Sequence, residues 1–427
     1  MDNHKGTLKY PINIQVEVTE ACNQDCFYCY NHWRTDNNPP KRMSKKTAWE
    51  LSEIIVNDIQ PFEAVITGGE PLTNLSATTE LMKGFQKNKL NYSLNSNLTL
   101  LNKPTLDKLV SISPKLGILT SLPSHKQEIF EEIVGRDNLL KFYENLELAL
   151  RNNISVAINM VAHKLNKDDV YEEGKFLIEK YGIKTFLATP MLRPSLREAD
   201  SPLSNDEIIR VLEDLVRLRK DYGVRVESLE VIPKCMLPDH LREDAAFERA
   251  CTAGRSSIMI SYKGDVRACG HSPISAGNLF KEGFRKIWEN LRPFRKNEYV
   301  PQECKECAEL AFCRGGCRFE GYQEGDSLDK KDSRMNQALK QRKSIPLPQA
   351  DINRDYMPNP FKCRKEDENA YTLYSNGKVI FANKGLRDFL YEINSMEKFK
   401  LSEIPEGKIR EKAKLMTQLL LEEKFLR

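Results

Sequence analysis

The chain has no apolar run approaching the length of a membrane span, and its 40% hydrophobic content is ordinary for a protein that works in water. It shows no targeting segment, so the cytoplasm is the expected compartment. It also lacks any large excess of one charge. The 65 basic and 61 acidic residues leave a net charge of only +4, which does not argue for nucleic acid as a partner. Without a signal peptide there is also no case for an oxidising compartment in which disulfides persist.

Cysteine, by contrast, is plentiful: eleven in 427 residues. In a reducing compartment such a number implies thiols kept for metal. Clusters of iron and sulfur open to substrate favour low oxygen, hence the cytoplasm of an anaerobic or microaerobic cell. The length suffices for two or three domains, each with a core.

Cys22, Cys26 and Cys29 stand in a Cys-x3-Cys-x2-Cys arrangement on a loop that leaves the strand-like segment Ile12 to Val18. Three thiolates at this spacing can hold three irons of a cubane and leave the fourth open for chemistry. A disulfide would leave one cysteine over. A closed structural zinc site wants a fourth ligand, for which the nearby candidate is His32.

This motif, with Tyr28 just before the last cysteine, resembles the signature of the radical S-adenosylmethionine (SAM) enzymes. The resemblance implies that SAM chelates the open iron and is cleaved by one electron to a 5′-deoxyadenosyl radical.

From Ile12 to about residue 194, short apolar runs alternate with helical periodicity, which predicts β-α units around a parallel sheet. Strands are expected at 12–18, 63–66, 92–94, 116–120, 156–161 and 185–187, and helices over 45–59, 75–87, 139–151 and 168–181. Six strands fit the partial (β/α)6 barrel that the family uses, with the site on the loops after the strands.

After the second strand, Thr67-Gly68-Gly69-Glu70-Pro71 resembles the family's Gly-Gly-Glu-Pro motif, whose glycines let the backbone approach SAM. The third strand runs into Asn95-Ser96-Asn97-Leu98-Thr99, where the family often has Thr-Asn-Gly, so Leu98 is a departure. Ser121 stands where the family binds the ribose of SAM, and Asn159 has a comparable place in the fifth strand. Each has a plain turn or strand-end role as its alternative.

Cysteines return as Cys251-x12-Gly264-x4-Cys269, then Cys304-x2-Cys307-x5-Cys313-x3-Cys317, then Cys363. This field, with Gly277-Asn278-Leu279 and Ile287-Trp288, resembles the SPASM extension of radical SAM enzymes; read alone, the middle four could be a zinc knuckle. The resemblance assigns Cys251, Cys269 and Cys317 to a first auxiliary four-iron cluster and Cys304, Cys307, Cys313 and Cys363 to a second, making three [4Fe-4S] clusters in all. Cys235 is left over. It could complete the first auxiliary cluster, donate a hydrogen atom to a substrate radical, or be an inert thiol.

The expected order is a barrel over 1–200, a connector over 201–250 carrying one helix at 205–220, an iron-sulfur domain over 251–363, and a module over 364–427. Residues 326–361 read as a linker or a draped loop. The tail reads as a hairpin around Asn376-Gly377 followed by two helices, which resembles a winged-helix module of the leader-recognition type. Its alternative is a packing domain over the second auxiliary cluster. The function implied is modification of a precursor peptide by a radical route, with an electron donor such as flavodoxin or ferredoxin. The alternatives are a radical SAM enzyme acting on a small molecule, and a non-catalytic iron-sulfur electron carrier.

Overall fold

A computed structural model describes residues 8–31, 33, 39–192, 202–323, 325–341, 348–375 and 377–426; His32 and Asn376 lie outside them. The chain divides into two compact units, residues 11–342 and residues 343–427 together with the first ten.

In the larger unit, β1 (Asn13–Glu17), β2 (Glu63–Thr67), β3 (Asn91–Asn95), β4 (Gly117–Ser121), β5 (Ser155–Ala162) and β6 (Thr185–Pro190) lie side by side in chain order, all parallel. The helices α1 (Lys45–Ile54), α2 (Leu75–Lys87), α3 (Lys103–Ile112), α4 (Gln127–Val134), α5 (Leu139–Arg151) and α6 (Val170–Tyr181) alternate with them. This is the expected α/β fold, six βα units of an open barrel. Ile14, Val16, Ile66, Leu94, Ile158 and Phe186 of the strands are buried, as are Leu51, Leu81, Phe85, Leu106, Phe142, Leu146 and Leu177 of the helices. Each such side chain stabilises the packing by about 1.5–3 kcal/mol relative to exposure.

Two helices were not expected. The apolar face of α3 is short, with only Leu106 and Leu109 buried, and α4 spans barely two turns. The single helix expected over 45–59 ends its regular part at Ile54. A wider π turn follows, closed by Gln60 N–H donating to the Ile55 carbonyl at 2.8 Å, with Gln60 left-handed at φ 50°.

Residues beyond the sixth strand return to the same sheet. α7 (Asn205–Tyr222) opens on a reciprocal Ser204–Glu207 cap, ends at left-handed Gly223, and buries Ile208, Val211, Leu212, Leu215 and Leu218 as its pattern requires. It leads to β7 (Arg225–Glu227), parallel to β6. On the opposite edge β8 (Ser257–Ile260) pairs parallel with β1, and β9 (Asp265–Arg267) and β10 (Ser275–Asn278) continue antiparallel. The first cysteine loop and the second cysteine field therefore belong to neighbouring strands.

The smaller unit holds the antiparallel sheet β11 (Lys362–Asp367), β12 (Ala370–Ser375) and β13 (Lys378–Ala382), followed by helices Lys384–Asn394 and Lys408–Glu422. Its core gathers Tyr356, Leu373, Leu390, Leu401, Leu420 and Phe425. Lys9 N–H donates to Glu366 Oε2 at 2.8 Å, and Arg364 Nη2 donates to the Tyr10 carbonyl at 2.9 Å. No helix among the described residues is long and apolar enough to cross a membrane.

Candidate functional site

The ladder between β1 and β2 runs on past the strands. Val18 N–H donates to the Thr67 carbonyl at 2.9 Å, Gly69 N–H to the Thr19 carbonyl at 2.7 Å, and Glu70 N–H to the Ala21 carbonyl at 2.8 Å. The two loops approach so closely that a Cβ on Gly68 would stand 2.6 Å from the Thr19 carbonyl oxygen, and one on Gly69 2.4 Å from that of Ala21. The glycines are thus required first by the cysteine loop. On its other side the loop is held by the end of α4, where Asp25 N–H reaches the Val134 carbonyl at 2.9 Å and Phe27 N–H the Ile133 carbonyl at 3.0 Å.

Within this clamp Cys22 is exposed and Cys26 and Cys29 are partly buried. Burial, then the nearby Cys29 and Cys22, push the Cys26 thiol up to about 12; burial pushes Cys29 up to about 11, Cys22 adding to it. Thiols so placed become thiolates only beside a cation, which bound iron supplies. Gln24 N–H lies 3.4 Å from Cys22 Sγ and Asn97 Nδ2 3.9 Å, donors suited to a metal-bound sulfur. The donor set fits a four-iron cluster held by three cysteines.

Glu70 is buried and spends its carboxylate on the chain. It accepts from Leu72 N–H at 2.9 Å, Ser96 Oγ at 2.9 Å and Asn97 N–H at 2.7 Å. Burial, only partly offset by these donors, raises its carboxyl to about 7. Its place is thus to tie the exit of β3 to the exit of β2. Asn97 in turn reaches Asn23 Oδ1 at 3.0 Å, and Asn23 reaches Thr99 Oγ1 at 2.7 Å. Leu98 is fully buried and left-handed at φ 63°, the conformation glycine adopts without cost.

Ser121, the last residue of β4, is the register neighbour of Asn159 in the middle of β5. The Tyr28 hydroxyl is buried, which raises it well above its ordinary value, and Cys26 and Ser121 lie near it. Asn159 accepts from Thr189 Oγ1 at 2.6 Å through its side-chain oxygen.

The second cysteine field separates into two groups. Cys251, Cys269 and Cys317 lie near one another: burial and then Cys251 push Cys269 up to about 12, and the same two causes raise Cys317 well above the ordinary thiol value. Cys304, Cys307 and Cys313 line a cavity, and Cys235 lines it with them. Cys235 thus stands with the Cys304 group. Cys363, on β11 of the smaller unit, packs against that unit's core with Tyr391 nearby. All eleven cysteines are free thiols, and no three His, Cys, Asp or Glu among the described residues are drawn together as around a single metal ion.

Several neighbours of these groups carry no sequence signal. Glu230, just after β7, places its carboxylate 3.6 Å from His271 Nε2 and adds, after burial and Cys251, to the upward push on Cys269 and Cys317. His271 packs against Tyr30 with the rings tilted by 45° and their centres 4.8 Å apart, so the loops following Cys29 and Cys269 meet. Below them the buried pair Glu17–Arg267 joins β1 to β9. A lone acidic residue on a loop has no pattern to mark it.

The model of the radical SAM superfamily matches residues 16–177, and that of the SPASM iron-sulfur cluster-binding domain matches residues 251–308. Mycofactocin maturase MftC of Mycolicibacterium smegmatis is 27% identical over 83% of this chain and 91% of its own length. AdoMet-dependent heme synthase of Methanosarcina barkeri is 24% identical over 75% and 95%, and the subtilosin biosynthesis protein AlbA of Bacillus subtilis 26% over 73% and 68%. Among solved structures, anSMEcpe with bound AdoMet superposes with a TM-score of 0.60 at 21% identity, over 77% of this chain and 90% of that one. Streptococcus suis SuiB bound to its precursor peptide SuiA gives 0.59 at 18%, over 77% and 76%. These two likenesses concern the fold. With the Cys22, Cys26 and Cys29 thiols on the β1 exit, the Gly-Gly-Glu turn clamped against their loop and a second cysteine field on the adjoining strands, the chain carries a radical SAM domain and a SPASM iron-sulfur domain.

Proposed function

We propose that the protein is a radical SAM peptide maturase that acts on a precursor peptide. The observation that carries the chemistry is the Cys22, Cys26 and Cys29 group, one thiol open to solvent, on a loop that the Gly68-Gly69 turn can only reach because neither residue has a side chain. With a four-iron cluster and SAM bound there, the site supplies a 5′-deoxyadenosyl radical able to take hydrogen from a carbon too inert for acid-base chemistry.

The chain's own residues orient and exclude water. Cys22, Cys26 and Cys29 hold the cluster; Gly68 and Gly69 bring backbone to the SAM amine, and Glu70 keeps that turn against the Asn97 loop. Tyr28, Ser121 and Asn159 line the barrel mouth as SAM contacts, with Tyr28 close to Ser121. The second cysteine field would hold two auxiliary clusters for electron transfer, three clusters in all, fed by a flavodoxin or ferredoxin in the cytoplasm.

The peptide reading is supported by the likeness to MftC and AlbA, and by a smaller unit whose sheet has β11 and β13 as edges, where an extended peptide can add as a strand. A small-molecule substrate is the second reading, favoured by the likeness to the heme synthase. The deciding experiment is anaerobic incubation with SAM, a reductant and candidate precursor peptides. Cleavage of SAM with modification of a peptide supports the proposal; cleavage that no peptide accelerates or couples to product rejects it.

A further inference from the structure

The cavity beside the Cys304 loop is lined by four thiols from two distant parts of the chain: Cys304, Cys307 and Cys313 from one segment, and Cys235 from the stretch after β7. Cys235 sits on a single 3-10 turn, Lys234–Met236, between Pro233 and Pro238, so its direction is set by stiff backbone.

Three contacts hold that turn against the cysteine segment. Lys234 N–H donates to Cys313 Sγ at 3.5 Å. Asn336 Nδ2 reaches the Cys235 carbonyl at 3.4 Å. Arg334 donates from Nη2 to the Val231 carbonyl at 3.0 Å, while the same guanidinium is locked onto the fully buried Asp332, whose other bond is to Cys317 N–H at 2.9 Å. The draped segment after Gly321 thus pins the Cys235 turn and the cysteine segment to one another. The other sulfur near the cavity, Met335 Sδ, 3.8 Å from Cys304 Sγ, is a thioether, a much weaker ligand for iron than a thiolate.

We infer that Cys235 is the fourth ligand of the auxiliary cluster at Cys304, Cys307 and Cys313, supplied from upstream. This rests on the reading of that group as a cluster site. On ligation the thiol gives its proton to solvent and its sulfur bonds the fourth iron, with no change of oxidation state. Two consequences follow. Cys363 is not needed as a ligand, and the Cys251, Cys269 and Cys317 group is the one left with three thiols, with the Glu230 carboxylate beside it.

The test compares Cys235→Ala, Cys363→Ala and Cys304→Ala in the full chain, reconstituted anaerobically with iron and sulfide and examined by iron counting and by EPR and Mössbauer spectroscopy. Cys235→Ala should lose about four of about twelve irons, or show a three-iron signal in place of one cubane. Cys363→Ala should keep its iron and its spectra. Cys235→Ser should retain a cubane with a shifted spectrum, a result that a folding defect would not produce. Full iron and an unchanged spectrum in Cys235→Ala, or iron loss in Cys363→Ala instead, overturns the assignment. If Cys304→Ala loses its cluster while Cys235→Ala does not, only the ligand assignment fails; if neither loses iron, the cavity is not a cluster site and the reading beneath it fails as well.

Discussion

Gly69 sits so close to Ala21, the residue before Cys22, that a Cβ on Gly69 would come within 2.4 Å of the Ala21 carbonyl oxygen. Both groups are backbone, so neither can swing aside. Gly69→Ala should displace the cysteine loop, removing about four of about twelve irons and abolishing SAM cleavage while the auxiliary clusters remain. Iron analysis beside an assay for 5′-deoxyadenosine checks this, and a variant that keeps both would show that the loop yields easily.

Leu98 reverses the usual ranking of alanine and glycine. At φ 63° any residue with a Cβ pays about 1–2 kcal/mol. Leu98→Ala and Leu98→Gly lose the same buried contacts, about 2–5 kcal/mol. The glycine variant should therefore be the more stable of the two by about 1 kcal/mol, read from urea midpoints.

Glu70 makes stability depend on pH. Its carboxyl is raised by burial from 4.5 to about 7, so between those values the folded chain holds a proton that the unfolded chain has released. Its contribution is fully present below about 4.5 and is lost as pH rises through about 7, up to about 3 kcal/mol. Glu70→Gln should flatten that fall, seen by comparing urea midpoints at about pH 5 and about pH 8. Glu17, also raised to about 7 by burial, leaves a residual slope.

Glu230 lies beside Cys269 and Cys317. Glu230→Gln removes a negative charge there, which should raise the reduction potential of the first auxiliary cluster and alter its EPR signal. Uncoupled SAM cleavage should be unchanged. An unshifted potential would place the carboxylate outside the cluster's field.

Removing residues 343–427 tests the smaller unit. Peptide affinity should fall at least about tenfold while uncoupled SAM cleavage survives. Unchanged affinity in a titration by fluorescence anisotropy would assign peptide binding to the barrel unit.

The parts legible in the sequence are those set by local pattern. α2 and α5 run over 75–87 and 139–151 as expected because their apolar stripes are continuous, and the six strands differ from expectation by a few residues at their ends. α4 was missed, although it clamps the cysteine loop, because eight residues give too little periodicity. β11 was missed because Lys362-Cys363-Arg364-Lys365-Glu366-Asp367 is a half-exposed, charged edge strand without apolar alternation. The placing of Cys235 depends on Arg334 reaching Val231, across a separation that no local pattern spans.

The bonds from Lys9 and Tyr10 to Glu366 and Arg364 give the order of synthesis a structural meaning. Lys9 and Tyr10 find their partners only after residues 11–342, which lie between, have been synthesised with all of their own contacts available. The smaller unit is thus completed after the larger one, around a segment synthesised before it.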